Sequence, residues 1–226
     1  MLTHTSILDI KYREIEPKIW LIYLPLIIFL YFNIQKLNLT IYLISLIITN
    51  LLVYILYKLS MLGGADVIAT ALLSLGNSSV SPLIYLNNLV TIGLEPLVLL
   101  LYSSLIIAIV GIINFARNFK YTKNMKIYDR ILLAFNGKRM KVKDFITSKF
   151  YFPLTIIDEK GNISIRTNFS IEEDDKYWRD MYRELVKKGI ISEDEYIWVS
   201  WGVPVLPFIS IGYIVSIIIG FPIYQK

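Results

Sequence analysis

The chain has 226 residues and a formal net charge of +5, and 55% of its residues are hydrophobic while 18% are charged. This composition is too apolar for a soluble domain of the same length, and it indicates a membrane protein. Cysteine is absent and His4 is the single histidine, so thiolate, zinc–cysteine and bis-histidine chemistries are excluded and we expect no metal and no cofactor.

The first predicted element is a short helix that carries Asp9. Eight residues precede this aspartate, and as a helix they would span about 12 Å, less than half of the hydrocarbon thickness. They lack the basic start and the long apolar core of a secretory signal peptide. Either this helix is partial or the chain begins upstream of Met1. We expect a first helix that holds Asp9 and enters the membrane only part way.

Five more membrane helices are predicted from stretches with few or no charged residues, because a spanning helix needs about 20 mainly apolar residues. They cover residues 19–32, 39–57, 66–75, a segment within 83–115, and 203–219. The predicted fold class is therefore an all-α polytopic membrane protein. It has about six membrane helices, the first of them short, and a small α+β cytoplasmic insert before the last helix.

The basic residues orient these helices, because short loops rich in lysine and arginine stay on the cytoplasmic side. Only Lys36 falls in the loops assigned to the outside. This orientation places Asp9 and Asp66 at the same, cytoplasmic face of the membrane. The cations that mark the inner loops are Lys11, Arg13, Lys18, Lys58, Arg117, Lys120, Lys123 and Lys126.

Residues 117–195 form the predicted insert, which is basic in its first half and acidic in its second. Segments 141–143 and 163–165 alternate in polarity as strands do, and 159–162 supplies the turn residues of a hairpin. A basic cytoplasmic flank beside anionic lipid explains the positive half of the insert. We therefore expect a lipid bilayer as partner and no nucleic acid.

A helix is predicted to follow the hairpin. Ser170 and Glu173 have the spacing of a capping box at its start, and Gly189 ends it. The domain organisation predicted from these elements has three parts. They are a membrane domain with both aspartates at 1–116, the insert at 117–195, and a C-terminal membrane helix at 196–226.

Asp9 and Asp66 are the only aspartates outside residues 117–195, and an unpaired charge at the membrane edge costs several kcal/mol. A carboxylate pair shares one proton, so its ionised member can activate water while the protonated member hydrogen-bonds the attacked carbonyl. Gly63 and Gly64 would allow a close backbone approach and the turn before the second aspartate. Paired carboxylates in membranes also serve proton or cation transport, so the residues alone leave hydrolysis and transport open.

The motifs around the two aspartates resemble those of one protease family. Residues 9–15 contain Asp9, a basic residue, Arg13 and Glu14, and residues 63–66 run from Gly63 to Asp66 after a second pair of helices. Both patterns, and the order of the spans around them, are similar to those of the archaeal preflagellin and prepilin peptidases of peptidase family A24. These enzymes are relatives of the bacterial type IV prepilin peptidases.

This resemblance implies a membrane aspartic endopeptidase with Asp9 and Asp66 as its catalytic pair. Gly63, Gly64, Arg13 and Glu14 are the supporting motif residues. The implied substrates are pilin-like and flagellin-like precursors, whose short basic leader, a class III signal peptide, is removed at the cytoplasmic face of the cell membrane. The archaeal branch lacks the N-methyltransferase activity of many bacterial members, which agrees with the absence of cysteine here.

Two alternative functions use the same membrane setting. One is an ion-coupled or proton-coupled transporter that moves charge through the same two carboxylates. The other is a non-catalytic membrane subunit of a pilus or archaellum assembly platform. The three functions differ in whether replacing the aspartates abolishes peptide cleavage, abolishes ion flux or leaves function intact.

Overall fold

A computed structural model describes residues 1–59, 61–77, 93–123, 126–170 and 173–219. The chain divides into two compact units, one made of Met1–Ile107 with Pro204–Lys226 and the other of Ala108–Val203. The described residues are mainly helical, with a small sheet in the second unit. The boundaries predicted at 116/117 and 195/196 stay predictions, and the compact units change over at 107/108 and 203/204.

Ten α-helices and five strands make up the described part of the chain. The helices are α1 Leu2–Tyr12, α2 Pro17–Tyr23, α3 Ile28–Asn33, α4 Leu39–Lys58, α5 Gly64–Gly76, α6 Glu95–Asn118, α7 Ile127–Asn136, α8 Val142–Thr147, α9 Asp175–Lys187 and α10 Val205–Ile219. The strands are β1 Gly137–Lys141, β2 Tyr151–Pro153, β3 Thr155–Ile157, β4 Ile163–Ile165 and β5 Tyr196–Trp201.

Two of the described helices, α4 and α6, are long and apolar enough to cross a membrane. The first spans 20 residues, and the second spans 28 residues with the 3-10 turn that extends it to Thr122; the mean hydropathy of their most apolar windows of 18 residues is 2.3 and 2.6. Only 22% and 28% of their most apolar windows are buried inside the protein. Such exposed apolar helices are typical of membrane spans. The predicted number of six membrane helices is not confirmed.

The predicted helix 19–32 is interrupted at a proline. Pro17 begins α2, and Pro25 lies at the start of a 3-10 helix, Leu24–Ile27, that separates α2 from α3. Proline has no N–H to donate inside a helix and clashes with the preceding turn. The predicted spans 39–57, 66–75 and 203–219 correspond to α4, α5 and α10, and the predicted segment within 83–115 corresponds to α6, except that 83–92 lie outside the described residues.

The first unit packs around α5 and α10. Gly212 on α10 allows a close approach to α6, because a Cβ there would meet the Ser103 hydroxyl oxygen and lie 2.7 Å from the Ser103 nitrogen. A side chain at position 212 would therefore push the two helices apart. The buried apolar core of this unit contains Trp20, Ala69, Leu72, Leu73, Leu99, Leu206 and Ile209.

The second unit contains a three-stranded antiparallel sheet with β5 in the middle, in the order β1-β5-β2. Strands β3 and β4 form a separate hairpin. The amphipathic helix α9 packs on α8 and β2, and its Tyr182 and Leu185 lie in the core. The other buried residues of this core are Met140, Val142, Phe145, Ile157, Ile191, Ile197 and Val199.

The strand predicted at 141–143 is wrong. Strand β1 ends at Lys141, and Val142 begins α8. Val142 and Phe145 are both buried, and their spacing of three residues is helical, which explains why the alternation at 141–143 did not continue as a strand. The predicted strand at 163–165 is confirmed as β4.

The predicted helix of the insert starts later than its motif suggested. Asp174 is the N-cap of α9, and its side chain accepts the Lys176 N–H at 2.8 Å. Glu173 does accept the N–H of Ser170 at 2.9 Å, but this contact precedes the helix. The predicted end at Gly189 is confirmed, since this glycine follows the helix with a φ of 70°.

Candidate active site

Asp9 lies near the end of α1 and contacts the beginning of α10. Its Oδ2 accepts the backbone N–H of Leu206 at 3.1 Å. The first N–H groups of a helix have no partner within the helix and carry partial positive charge. The start of α10 therefore stabilises a negative charge on Asp9.

The rest of α1 is also held by α10. The hydroxyl groups of Ser6 and Ser210 form a hydrogen bond of 2.6 Å, and Ser210 donates in turn to the Leu206 carbonyl at 2.8 Å. Thr5 and Ser6 are buried. This packing anchors a helix of 11 residues that is too short to be stable alone.

Arg13 ends α1 and acts electrostatically on Asp9. It has a φ of 61°, and its N–H donates to the Asp9 carbonyl at 3.1 Å. A left-handed conformation costs a residue other than glycine about 1–2 kcal/mol, so the surrounding packing must hold Arg13 there. Glu14, the other charged motif residue, is exposed on the link between α1 and α2.

Asp66 lies in the first turn of α5 and is only 6% exposed. Its Oδ2 accepts the backbone N–H of Gly63 at 2.9 Å, and its own N–H donates to the Gly63 carbonyl at 3.1 Å. The carboxylate thus caps the start of its own helix. A negative side chain in a first helical turn is favoured by the helix dipole.

Gly63 and Gly64 are not required by the turn itself. Gly63 has a φ of −83°, which any residue adopts. A Cβ on Gly63 would lie 3.5 Å from Asp66 Oδ2, and one on Gly64 would lie 3.9 Å from Tyr57 Cε2. Both are ordinary van der Waals distances. Because Gly63 has no Cβ, that side of the Asp66 carboxylate is left uncovered.

The two aspartates lie on different helices, Asp9 on α1 and Asp66 on α5. Helix α10 packs on both α1 and α5, and it therefore joins the two helices that carry them. In the part of the chain that the structure describes, no three His, Asp or Glu side chains gather as a metal site would need. The arrangement offers two carboxyl groups on helices that share α10 as a neighbour, and water activation by an acid–base pair uses two such groups.

Sequence reasoning missed the partners of Asp9. Pro204 precedes Val205 and is a local signal that a helix starts there, but nothing local links residue 206 to residue 9. The hydrogen bond of 2.6 Å between His4 Nδ1 and the Tyr23 hydroxyl, which ties α1 to α2, was equally unforeseen. Contacts between such distant residues depend on the packing of the helices.

Two protein-family models match this chain. Residues 1–112 match the type IV leader peptidase family, peptidase A24. Residues 129–221 match a model described as the archaeal peptidase A24 C-terminus, type II. The first match includes both aspartates, and the second covers most of the compact unit Ala108–Val203 together with α10. A search of curated proteins finds no match.

Proposed function

Because the chain belongs to the type IV leader peptidases of peptidase family A24, a family of membrane peptidases that act on pilin-like precursors, we propose that it is an aspartic endopeptidase. It cleaves the short basic leader from archaeal pilin-like and flagellin-like precursors at the cytoplasmic membrane face. The observation that carries this proposal is that α10 packs on both α1 and α5, the helices of Asp9 and Asp66, and donates the Leu206 N–H to Asp9 Oδ2.

Asp9 is suited to be the general base of the pair. Two carboxylates that act in one site do not both ionise easily. The Leu206 N–H at the start of α10, which Asp9 Oδ2 accepts at 3.1 Å, favours the carboxylate form of Asp9. Asp66 also accepts a backbone N–H, from Gly63, but it is more deeply buried than Asp9. Because burial disfavours the charged form, Asp66 is the protonated member of the pair.

The cleavage step follows from these roles. Asp9 takes a proton from a water molecule, whose oxygen attacks the carbonyl carbon of the scissile peptide bond. Asp66 donates a hydrogen bond to the carbonyl oxygen, where negative charge develops. The tetrahedral intermediate collapses with proton transfer to the leaving amine nitrogen, and no covalent bond to the enzyme forms.

The proposed setting is a multi-pass arrangement in the cell membrane with about six membrane helices. Support comes from the exposed apolar surfaces of α4 and α6 and from the distribution of lysine and arginine in the sequence. With this topology, both aspartates face the cytoplasm. A precursor would then present its leader at the membrane surface, beside the hydrophobic helix that follows the cleavage site.

The direct test is processing of a tagged pilin-like precursor by the full chain in membranes. We expect wild type to give a shortened product. Asp9→Asn and Asp66→Asn each remove one member of the acid–base pair and should lower cleavage by at least about 100-fold. Asp180→Asn is the matched control, because Asp180 is exposed and its pairing with Arg183 on α9 contributes little.

The outcomes separate the alternatives. Cleavage that persists in both aspartate variants would refute the catalytic pair. If no precursor is cleaved but ion flux depends on Asp9 and Asp66, the protein is a transporter. An assembly-platform subunit would keep its full function in both variants, and pilus or archaellum assembly would then be the activity to measure.

A further inference from the structure

One surface of the unit Ala108–Val203 exposes large apolar side chains. Tyr121 is 48% exposed in the 3-10 turn after α6, and Ile127, Tyr128 and Ile131 on α7 are between 40% and 69% exposed. Leu133 and Ala134, farther along α7, are fully buried. The helix therefore buries one apolar side in the unit and presents another to its surroundings. We call these four exposed residues the Tyr128 patch.

Cations lie beside Tyr121 and flank the Tyr128 patch in the sequence. Lys120, Lys123 and Lys126 are exposed, and the Lys120 ammonium lies 4.8 Å from the centre of the Tyr121 ring. The Arg139 guanidinium on β1 lies 5.1 Å from the same ring. Apolar side chains with cations at their edges are the composition of helices that lie in a membrane interface.

A cleft of about 430 Å³ continues this surface along β1. Its positive lining comes from Lys138, Arg139 and Lys141, and one acidic residue, Asp144, contributes to it as well. The Lys141 ammonium is paired with Asp194 at 3.1 Å, so Lys138 and Arg139 are the main cations for a phosphate. The Tyr196 ring beside the cleft lies 4.9 Å from the Arg139 guanidinium. Arginine and lysine in a polar cleft bind phosphate groups by charge and by N–H donation.

The unit that carries the patch contacts the end of α6. Asn118 Nδ2, in the last residue of that helix, donates to the Gly137 carbonyl at 2.5 Å, where β1 begins. The Phe115 ring packs on Phe119 and Phe135 at 4.7 and 4.8 Å between centres. All these residues belong to one compact unit. The helical stretch that begins with α6 continues to Thr122, and its apolar residues give way to Arg117 and Lys120, so the surface starts where a candidate membrane span ends.

We propose that the Tyr128 patch and the cations of β1 form a binding surface for anionic lipid headgroups of the membrane that holds α6. The aliphatic side chains enter the interface, and the lysine and arginine side chains contact lipid phosphates. Ile127 and Ile131 have no π system for stacking on bases, which makes a nucleic acid a poorer fit. The inference is independent of the peptidase activity, since it rests on this unit alone.

The absence of cysteine allows a direct test by site-specific labelling. Tyr128→Cys in the full chain is labelled with an environment-sensitive fluorophore and reconstituted into vesicles that carry a nitroxide on the lipid. We expect strong quenching in vesicles of phosphatidylcholine with phosphatidylglycerol, and weaker quenching in phosphatidylcholine alone. Tyr177→Cys is the matched control, since Tyr177 is 61% exposed on α9, and its label should stay unquenched in both.

A second pair of variants tests the charges. Combining Tyr128→Cys with Arg139→Gln should reduce quenching in the anionic vesicles toward the level of phosphatidylcholine alone, as should high salt. Lys160→Gln in the β3–β4 turn is the exposed control and should leave quenching unchanged.

Three results would overturn the proposal. In the first, the label at position 128 is as unquenched as the one at 177. In the second, quenching at 128 is equal in both kinds of vesicle. In the third, the label is shielded only when the protein is concentrated, which would identify the patch as an interface between copies.

Discussion

Gly63 lies beside the carboxylate of Asp66, and the lack of a Cβ leaves that side of the carboxylate open. The backbone at this position is one that any residue adopts, so folding does not require glycine here. A methyl group would still lie only 3.5 Å from Oδ2. A glycine at position 63 is therefore explained by the proposed chemistry at Asp66 and not by the conformation of the turn.

Gly63→Ala should therefore keep the fold and impair cleavage. We expect precursor processing to fall by roughly 10-fold to 100-fold, because a small displacement of reacting groups is costly, while the thermal unfolding temperature in detergent stays close to that of wild type. Gly64→Ala is the comparison, since its methyl group would face Tyr57 and should cost less activity. Equal losses in the two variants would contradict this explanation.

At the scale of an element, helix α1 depends on α10 for its stability. Its 11 residues are fewer than an isolated helix needs for stability in water. The hydrogen bonds of Ser6 and Asp9 to α10 compensate for this shortness. The position of Asp9 is therefore a property of the α1–α10 pair.

Ser210→Ala removes the partner of Ser6 and should loosen this pair. We expect a loss of about 1 kcal/mol in the free energy of unfolding and a several-fold fall in kcat for precursor cleavage, with little change in KM. Ser216→Ala is a matched control on the same helix, because the Ser216 hydroxyl donates within α10, to the Tyr213 carbonyl. A fall in kcat of the same size in the control would show that the Ser6 contact is unimportant.

At the scale of the whole molecule, the chain combines a helical unit that carries both aspartates with a second unit that has its own core. Glu173 lies at the centre of a hydrogen-bond network in the second unit. Its carboxylate accepts two N–H groups of Arg166 at 2.8 and 2.7 Å and the Trp178 Nε1–H at 2.8 Å. Because Arg166 Nε also donates to the Pro153 carbonyl at 2.8 Å, this network ties the β-structure to α9.

The same network predicts how the stability of the second unit depends on pH. Partial burial of Glu173 opposes its charge, but the hydrogen bonds from Arg166 and Ser170 prevail and hold the pKa of the carboxyl below its usual 4.5. A lowered pKa stabilises the fold above the usual value, and this stabilisation is lost as the pH falls through the folded-state pKa.

Glu173→Gln should accordingly cost about 1–2 kcal/mol at pH 7. The cost should shrink as the pH falls below 4.5. Thermal unfolding of the full chain, followed by near-UV circular dichroism at pH 7 and at a pH below 4.5, measures this difference. Glu184→Gln is the control, since the exposed pair of Glu184 with Lys187 is 3.8 Å long. A cost for Glu173→Gln that is the same at both pH values would contradict the prediction.

The elements that sequence reasoning predicted well are those with strong local signals. Helix α4 was expected over 39–57 and spans Leu39–Lys58, because an uninterrupted apolar run has one structural solution in a membrane. Gly189 marked the end of α9 for a similarly local reason. The prediction failed at 141–143, where a three-residue alternation fits both a strand and the start of a helix.

The sequence by itself determined the membrane character of the chain, the family to which it belongs and which two aspartates to examine, because composition and short motifs are local properties. Only the tertiary structure decided that α10 anchors α1, that the backbone N–H of Leu206 bonds to Asp9, and that α10 joins the two helices that carry the aspartates. These contacts join residues far apart in the chain, and they follow from how the helices pack.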